Sequence, residues 1–379
     1  MYARYGRSFA VWLAFSLSLI AQAVLSKAVS IQPDVTPGVI PFTVAEVTRT
    51  PDSSLAIKWA SAGPSTVTIY ASESPTDFTH ARLIGRYGPR GSTIAAQAPG
   101  ADRWYFELKP DRGAPLVVAD RSLHLATAPN FRDAGGYRTS DGRWVRTGML
   151  YRSDQLDRLS DADLATIARL SPAMVVDLRT DRERRQGMDR WPPSALHLVA
   201  DVYADVDKSS GEDPYAQISS PDQAVELLQT ANRRFVSLPS AKHGYGLLLT
   251  SIEASPGPLV YHCSAGKDRT GWATAVLLSI LGVPHDVVMQ DYLASNTYLV
   301  EKNRQRLLQM GSSATRLEPV FWVKESYLEA AFREADADYG SFERYLHDGL
   351  GLGEPTLAAL RDRYLVGESQ NPTPRDAAR

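Results

Sequence analysis

The sequence predicts an α/β domain, in which helices cover a mostly parallel sheet, preceded by a small all-β sandwich. From about residue 38 to 125, short segments of alternating apolar and polar residues are separated by turn-forming pairs. From residue 126 to 366, apolar strand-like runs alternate instead with helical segments. The 379 residues are enough for two domains of roughly 150 residues each. We therefore predict a β-sandwich domain over 38–125 and an α/β domain over 126–366.

Alternation is clearest at three places in the first domain. Apolar side chains recur at every second position in the segments 55–59, 66–70 and 104–108. Turn-forming pairs interrupt the segments, at Pro51-Asp52, Gly63-Pro64 and Pro99-Gly100. The pattern loosely resembles a fibronectin type III module, which implies a two-sheet sandwich. Substrate or partner binding and a packing or spacer role are both compatible with it, and no candidate site falls in this domain.

Residues 1–26 have the layout of a secretory signal peptide. Arg4 and Arg7 form a basic region, residues 9–20 form an apolar region, and Ala21-Gln22-Ala23 supplies small residues for cleavage. An uncleaved anchor is the alternative, but the apolar run is shorter than the ~20 residues that a spanning helix needs. We expect export, to a periplasm or to the medium, with no stable membrane anchor after cleavage.

The composition excludes some classes of partner and cofactor. Charged residues make up 22% of the chain and the net charge is −2, so the sequence has no basic footprint for nucleic acid. The seven histidines are scattered without H-E-x-x-H or similar ligand spacing, which disfavours a metal-dependent hydrolase. We predict no metal site and no cofactor. The polar tail 367–379 is predicted to be disordered, and the oligomeric state is left open.

Capping and periodicity predict the elements of the α/β domain. Ser160 opens a helix with apolar residues at 164, 167 and 170, and Asp163 stands where a capping box usually has Glu or Gln. A buried strand is predicted over 174–178, and a charged helical stretch with a solvated face over 182–190. Residues 208–222 are predicted to form a long loop or lid. The segments around 285–310 and 319–350 are predicted to be helical.

The single cysteine, Cys263, lies in a predicted strand–loop–helix turn. The apolar run 258–261 predicts a buried strand before it, and residues 272–281 predict a helix after it. Five residues separate Cys263 from Arg269, and such a loop can wrap its N–H groups around one phosphate at a helix N-terminus. Arg269 matches two phosphoryl oxygens with its planar fork, and together with Lys267 it favours the thiolate form of the cysteine. The turn therefore predicts a nucleophile beside an anion site.

The segment His262–Gly271 resembles the signature loop of the cysteine-dependent phosphatases, H-C-x5-R-[ST]. The form His-Cys-x-x-Gly-Lys-Asp-Arg-Thr-Gly is similar to the atypical bacterial tyrosine phosphatase family, which includes secreted mycobacterial and listerial enzymes. Other motifs of that family follow in order over residues 125–366, roughly two thirds of the chain: Asn130–Tyr137, Leu150–Ser153, Val175–Arg179, Asp291–Leu293 and Tyr339–Ser341. The resemblance implies a cysteine-phosphatase fold and a metal-independent phosphomonoesterase, of tyrosine or dual specificity. A catalytically inactive module that binds a phosphorylated ligand is the alternative.

The resemblance also implies roles within the loop. Cys263 attacks phosphorus and forms a phosphocysteine, which water then hydrolyses. Thr270 supplies a hydroxyl that helps the thiolate to leave in the second step. His262 is predicted to fix the loop by hydrogen bonding. The substrate phosphate is expected to contact the loop residues Ser264, Ala265, Gly266, Lys267, Asp268 and Arg269.

The general acid is left open between two places in the sequence. Asp268 lies inside the loop and is the distinctive residue of this subfamily. Asp201 and Asp205, together with Asp207, follow the predicted strand at 196–199, where the usual phosphatase layout puts its acid on a separate loop.

Several residues outside the loop are expected nearby. Asp177 and Arg179 end a predicted strand, where they either orient the loop or line its mouth, or else form a structural ion pair. The resemblance alone places three further residues there, namely Asn130, Arg132 and Asp133. A lysine at position 267 implies tolerance of phosphoinositides besides phosphorylated proteins, unless its side chain points to solvent.

Overall fold

The computed structural model describes residues 38–95, 103–206 and 215–370. The predicted signal peptide, the turn at Pro99-Gly100, Asp207 and much of the predicted loop 208–222 lie outside the described residues. Among the described helices, none combines the length and the apolar character needed to cross a membrane.

Two antiparallel sheets form the N-terminal sandwich. One sheet has the order β1-β2-β5 and the other β4-β3-β6-β7. The predicted alternation is seen on β2, where Leu55, Ile57 and Trp59 are buried between the sheets. The strands are β1 (Phe42–Arg49), β2 (Leu55–Ser61), β3 (Val67–Ser72), β4 (Arg82–Tyr87), β5 (Arg90–Ala95), β6 (Tyr105–Pro110) and β7 (Leu116–Ala119).

A third sheet, of five strands, has the order β12-β11-β13-β10-β8. Strands β10 to β13 are parallel where they pair, and β8 joins the edge in the antiparallel sense. The predicted mixed α/β class is therefore confirmed. These strands are β8 (Arg132–Asp133), β10 (Leu150–Ser153), β11 (Met174–Asp177), β12 (Leu196–Val199) and β13 (Leu259–His262), while β9 (Trp144–Val145) pairs with β14 (Leu365–Val366).

Helices cover this sheet and build most of the larger core. Ser160 caps α1 by accepting from the N–H of Asp163, but the Asp163 carboxylate turns away to Ala126 and Thr127 and does not complete a capping box. The helices are α1 (Asp161–Arg169), α2 (Asp181–Gln186), α3 (Pro221–Ser237), α4 (Pro239–Ala254), α5 (Arg269–Ile280), α6 (His285–Tyr298), α7 (Val300–Met310), α8 (Ala314–Phe321), α9 (Glu325–Tyr339), α10 (Phe342–Arg344) and α11 (Glu354–Tyr364).

Helix α5 is buried on nearly all sides, as a central helix must be when every face is apolar. It ends at Ile280; Gly282, just beyond the end, has a φ of +80°, a conformation that favours glycine, and Pro284 prevents the helix from continuing. The strand β13 that leads into it is fully buried as well. Both ends of the turn between β13 and α5 are therefore anchored by elements buried at the centre of the domain.

The sandwich and the α/β part share one compact unit. Trp144 of β9 is buried in the core of the sandwich, and the Tyr105 and Tyr151 hydroxyls lie 3.4 Å apart across the boundary. The first residues of the predicted disordered tail are instead placed by hydrogen bonds. Glu368 N donates to Gly38 O at 2.9 Å, so the chain returns to the start of the sandwich.

Candidate active site

The loop that carries Cys263 lies at the carboxyl edge of the parallel sheet. It connects β13 to α5, and His262 at the end of β13 is in register with Ser153 of β10 and Asp177 of β11. Cys263 is 2% exposed. In open α/β sheets this edge is where ligands bind. We name the segment Cys263–Arg269 the phosphate loop.

Two side chains hold the carbonyl groups of the phosphate loop from outside. Asn130 Nδ2 donates to Ala265 O and Gly266 O at 3.0 Å each, and Arg152 Nη2 donates to Gly266 O at 2.8 Å. Gly266 has φ +66°, and a Cβ there would lie 2.4 Å from the carbonyl oxygen of Ser153. Only glycine therefore fits this close approach of two backbones.

The outward carbonyls determine where the N–H groups point. The N–H of Gln155 also donates to Ser264 O, at 3.2 Å. Across a trans peptide the carbonyl and the next N–H point in opposite directions. The N–H groups of Ala265, Gly266 and Lys267 are therefore turned away from these outer partners, toward the concave side of the loop. Together with the N-terminus of α5 they form an anion cradle.

Arg269 closes the phosphate loop and is locked by a residue of α2. Its Nη1 and Nη2 each donate to the Glu183 carboxylate at 2.7 Å, and Nη2 also donates to Ser264 Oγ at 3.2 Å. Burial opposes charge on Arg269, but Glu183 and Cys263 outweigh it and raise the pKa of the guanidinium. Burial likewise opposes charge on Glu183, and the pair with Arg269 holds the pKa of that carboxyl well below its usual range.

Glu183 is the residue that the sequence reasoning missed. It belongs to the stretch 182–190, and the predicted solvated face is wrong at this position. The available signal was the spacing Thr180-x-x-Glu183, because it forms a complete capping box at the start of α2. That spacing predicts a helix that begins directly after Thr180, with Glu183 in its first turn, and from there Glu183 contacts Arg269 of the phosphate loop.

Lys267 and Asp268 pair with each other. Lys267 Nζ donates to both Asp268 oxygens, at 2.9 and 2.8 Å, and lies 3.5 Å from Trp322 O. Lys267 is 4% exposed, so the alternative that it points to solvent is wrong. The second cation of the loop is thus buried and already neutralised.

The two aspartates after β12 have different surroundings. Asp201 accepts from the N–H groups of Asp181 and Tyr203, at 3.1 and 2.9 Å, and faces the start of α2. Burial raises the pKa of Asp201, although the Tyr203 N–H and nearby arginines, Arg269 among them, oppose that shift. Asp205 turns instead to the start of α4, where its carboxylate accepts from Ser240 N at 2.6 Å.

Behind the loop lies a buried cluster around His262. Its Nδ1 is 3.3 Å from Cys263 O, and its Nε2 is 3.2 Å from Asp189. Burial lowers the pKa of His262, but Asp189 and Asp177 outweigh this and raise it overall. Arg179 lies 2.9 Å from Asp177 and 2.6 Å from Asp189, so it neutralises the two carboxylates that, with His197, could otherwise have held a cation. Asp177 and Arg179 therefore form an ion pair beneath the site.

A second buried network supports the loop from the side of β10. Asp291 lies 2.5 Å from Arg152 Nη1 and 3.3 Å from Arg132 Nε, and it accepts from the Tyr137 hydroxyl at 2.8 Å. Burial opposes the charge of Asp291, yet Arg132 and Arg152 hold its pKa well below the usual range. The same Arg132 donates to the side chain of Asn130, so both residues that hold the loop carbonyls belong to this network.

Thr270 follows Arg269 in the first turn of α5. Its side chain is fully buried, and its hydroxyl has no hydrogen-bond partner among the described residues. A buried hydroxyl without a partner is uncommon and favours a role in ligand or reaction chemistry.

The chain matches the tyrosine phosphatase family over residues 123–366. A relative named as a tyrosine-protein phosphatase, from Cupriavidus necator, is 34% identical over 263 residues, which are 67% of this chain and 92% of the relative. The triple specificity protein phosphatase PtpB of Mycobacterium tuberculosis is 34% identical over 273 residues, 62% of this chain and 96% of that protein. Among solved structures, Pseudomonas aeruginosa TpbA is 17% identical and aligns with 42% of this chain and 83% of its own, at a TM-score of 0.23 that adds nothing to the assignment. On its sequence, this chain belongs to the tyrosine phosphatase family.

Proposed function

We propose that this protein hydrolyses phosphomonoesters without a metal, through a phosphocysteine at Cys263. The observation that carries the proposal is the orientation of the phosphate loop. Three carbonyls of the loop are held outward, so their peptide N–H groups face the position where a phosphoryl group would meet the cysteine. Arg269 stands at the end of the same loop. Fixed donors aimed at developing charge are the main source of rate enhancement in sites of this type.

In the first step, the Cys263 thiolate attacks phosphorus in line with the leaving oxygen. A sulfur–phosphorus bond forms as the bond between phosphorus and the leaving oxygen breaks. Arg269 and the N–H groups of the loop bind the three equatorial oxygens and stabilise their charge. The leaving oxygen takes a proton from a general acid.

Asp201 is our choice for that acid. Its carboxylate lies at the start of α2, the helix that carries Glu183 to Arg269, and burial raises its pKa, which is the direction that a general acid requires. Asp268 instead accepts from Lys267 through both of its carboxylate oxygens, so it is already engaged within the loop. We assign Asp268 the role of orienting Lys267. Asp205 is bound to the start of α4 and has no part in the reaction.

In the second step, water attacks phosphorus and the sulfur–phosphorus bond breaks. The water gives one proton to the Asp201 carboxylate, phosphate leaves, and the thiolate returns. Thr270 lies in the first turn after Arg269, and its buried hydroxyl, which has no partner in the described part of the chain, is available to donate to the departing sulfur. This donation is the role that we propose for it.

The proposed substrates are proteins that carry phosphotyrosine, with phosphoinositides as a further class. Support for the first comes from the names of the relatives from Cupriavidus necator and Mycobacterium tuberculosis, and the second of these is described as having triple specificity. Lys267 would serve a polyanionic substrate only after exchanging Asp268 for a second phosphate. We therefore expect phosphotyrosine to be the better substrate at equal concentration.

The test is phosphate release by the purified protein in the presence of EDTA. Phosphotyrosine peptides, phosphoserine peptides and phosphoinositide micelles are compared, with Cys263→Ser in parallel. We expect turnover that EDTA leaves intact and that the variant loses, because serine is a far weaker nucleophile at neutral pH. Binding of phosphopeptides without any turnover by the wild type would contradict the proposal and indicate a binding module instead.

We also propose that residues 1–26 direct export and are removed. The support is the order of a basic region, an apolar run and small residues before Gln22 and after it. The N-terminal sequence of protein recovered from the periplasm or medium of an expressing bacterium tests this. A protein that stays in the cytoplasm with Arg4 intact would contradict it.

A further inference from the structure

The carboxylate of Glu183 reaches both ends of the phosphate loop. One oxygen accepts from Arg269 Nη2 at 2.7 Å and from the hydroxyl of Ser264, and the other accepts from Arg269 Nη1 at 2.7 Å. Ser264 is the first residue after the nucleophile, and Arg269 is the last residue of the loop. A single side chain from another element thus ties the two ends of the loop together.

The position of this carboxylate is itself fixed by the backbone. Thr180 N donates to Glu183 Oε2 at 2.9 Å, and the Thr180 hydroxyl accepts from Glu183 N at 3.2 Å. These two bonds are the capping box of α2. A capped helix start therefore serves as the rigid mount from which the glutamate reaches Arg269.

The pair uses only one edge of the guanidinium. Arginine can form paired hydrogen bonds through its Nη1–Nη2 edge or through its Nε–Nη2 edge. Glu183 takes the Nη1–Nη2 edge, so the Nε–H of Arg269 remains for an oxyanion in the cradle. Charge-assisted bidentate pairs of this kind fix orientation as well as distance. The contact therefore fixes the orientation of the Arg269 guanidinium and leaves its Nε–H donor for a phosphate oxygen.

We propose that Glu183 is a positioning residue for phosphoryl transfer, which acts through Arg269 and Ser264 and sets the spacing of the loop ends around the phosphate. The inference rests on the phosphatase activity proposed above. Glu183 touches neither substrate nor nucleophile in this role. Replacing Glu183 should therefore weaken binding of the transition state more than binding of the substrate, because the equatorial oxygens are held most tightly in the transition state.

The experiment compares Glu183→Gln and Glu183→Asp with the wild type. Glutamine keeps the size of the side chain but turns an amide NH₂ toward the guanidinium, so at least one bond of the pair is lost. Aspartate keeps the charge and withdraws it by one methylene. For each protein we would measure kcat and KM on a phosphotyrosine peptide and Ki for orthovanadate, which takes the geometry of the transition state. Because Cys263 is the single cysteine, titration of the thiol counts intact active sites.

We expect kcat/KM and vanadate affinity to fall in parallel, by about 10²-fold in the glutamine variant, with the aspartate variant between it and the wild type. Ser160→Ala is the matched control, because it removes the side-chain cap of α1 and leaves α2, Glu183 and the phosphate loop unchanged. Its urea midpoint should fall while its kinetics per titrated thiol stay at the wild-type level. A purely structural role for Glu183 would give all variants that same pattern.

Two outcomes overturn the proposal. One is a Glu183→Gln protein whose kcat/KM and vanadate Ki per intact thiol equal those of the wild type. The other is tighter vanadate binding by that variant, which would make Glu183 a competitor of phosphate. If the glutamine variant does not fold, the aspartate variant decides by the same measurements. Absence of turnover in the wild type would contradict the proposed phosphatase activity instead, so the two failures are distinguishable.

Discussion

Asp201 and Asp205 stand four residues apart, yet the contacts of each carboxylate give them different chemistry. Asp205 binds the N–H of Ser240, whereas Asp201 is largely buried beside the start of α2 and has a raised pKa. A raised pKa means that the proton is retained to a higher pH than in solution. Activity that depends on this proton must therefore decline as the pH rises through the pKa of Asp201.

Asp201→Asn should lower kcat by about 10² to 10⁴-fold on a phosphotyrosine peptide, the usual contribution of a general acid. It should also remove the decline of kcat at alkaline pH, since asparagine has no proton to lose. The measurement is a pH–rate profile, repeated with an aryl phosphate whose leaving group is a weak base and needs little protonation. The loss of rate should be much smaller on that second substrate.

Asp205→Asn is the control for this prediction, because Asp205 lies on the same loop as Asp201. If Asp201 is the acid, the pH–rate profile of the Asp205→Asn variant should equal that of the wild type. An alkaline decline that persists in Asp201→Asn would assign the proton to another group. Asp268→Asn would then be the next variant to profile.

At the scale of elements, helix α7 is bound to the turn that supports the phosphate loop. Lys302 of α7 lies 2.7 Å from the Asp154 carboxylate, which is fully buried and also accepts from Asn130 N at 3.2 Å. Burial raises the pKa of Asp154, and Lys302 opposes that shift. Loss of the lysine should therefore raise this pKa further.

Lys302→Met should destabilise the protein by an amount that grows with pH. In the folded state the carboxyl would stay protonated to a higher pH than the unfolded value of about 3.9. The folded state then binds more protons, so the free energy of unfolding falls as the pH rises. We expect a cost of about 3–5 kcal/mol once the unpaired carboxylate is ionised, and a smaller cost at low pH. Urea unfolding of both proteins from pH 5 to pH 8 measures this.

The double variant Asp154→Asn/Lys302→Met is the control, because a neutral amide leaves no buried charge without a partner. It should be less pH-dependent than the single variant. A cost of Lys302→Met that is equal at pH 5 and pH 8 would mean that the lysine acts through packing of its stem.

A feature at this scale can be predicted from the sequence when the residues that determine it lie close together along the chain. The strand–loop–helix turn at Cys263 is local, because an apolar strand, a glycine with positive φ and an apolar helix follow one another directly. The pairs Glu183–Arg269 and Asp154–Lys302 join residues far apart in sequence, and nothing in the periodicity of either partner predicts them. A charged helix with one functional face has the same pattern as a charged helix with none.

At the scale of the whole molecule, the sandwich is bound to the α/β part through a buried charge. Arg103 Nη2 lies 2.7 Å from Asp133, a fully buried residue of β8, and its guanidinium lies 5.3 Å from the ring of Tyr151 on β10. Tyr151 precedes Arg152, which holds the carbonyl of Gly266. Of the roles considered for the sandwich, these contacts favour packing, because they make it a cover for the strand that supports the active site.

Arg103→Met should therefore lower the stability of the whole unit and not of the sandwich alone. Removing one partner of a buried ion pair costs about 3–5 kcal/mol, and the two N–H groups that still bind Asp133, from Gly135 and Gly148, place the expected value near the lower end. Urea unfolding would be followed by phosphatase activity, which reports the α/β part, and by amide exchange in β2 and β3, which reports the sandwich. Both midpoints should shift together.

Arg90→Met, at an exposed arginine of β5, is the matched control and should change stability by no more than about 0.5 kcal/mol. If Arg103→Met shifts the exchange of β2 and β3 while the activity midpoint stays at the wild-type value, the sandwich is an independent domain, and its part in holding the catalytic sheet is contradicted.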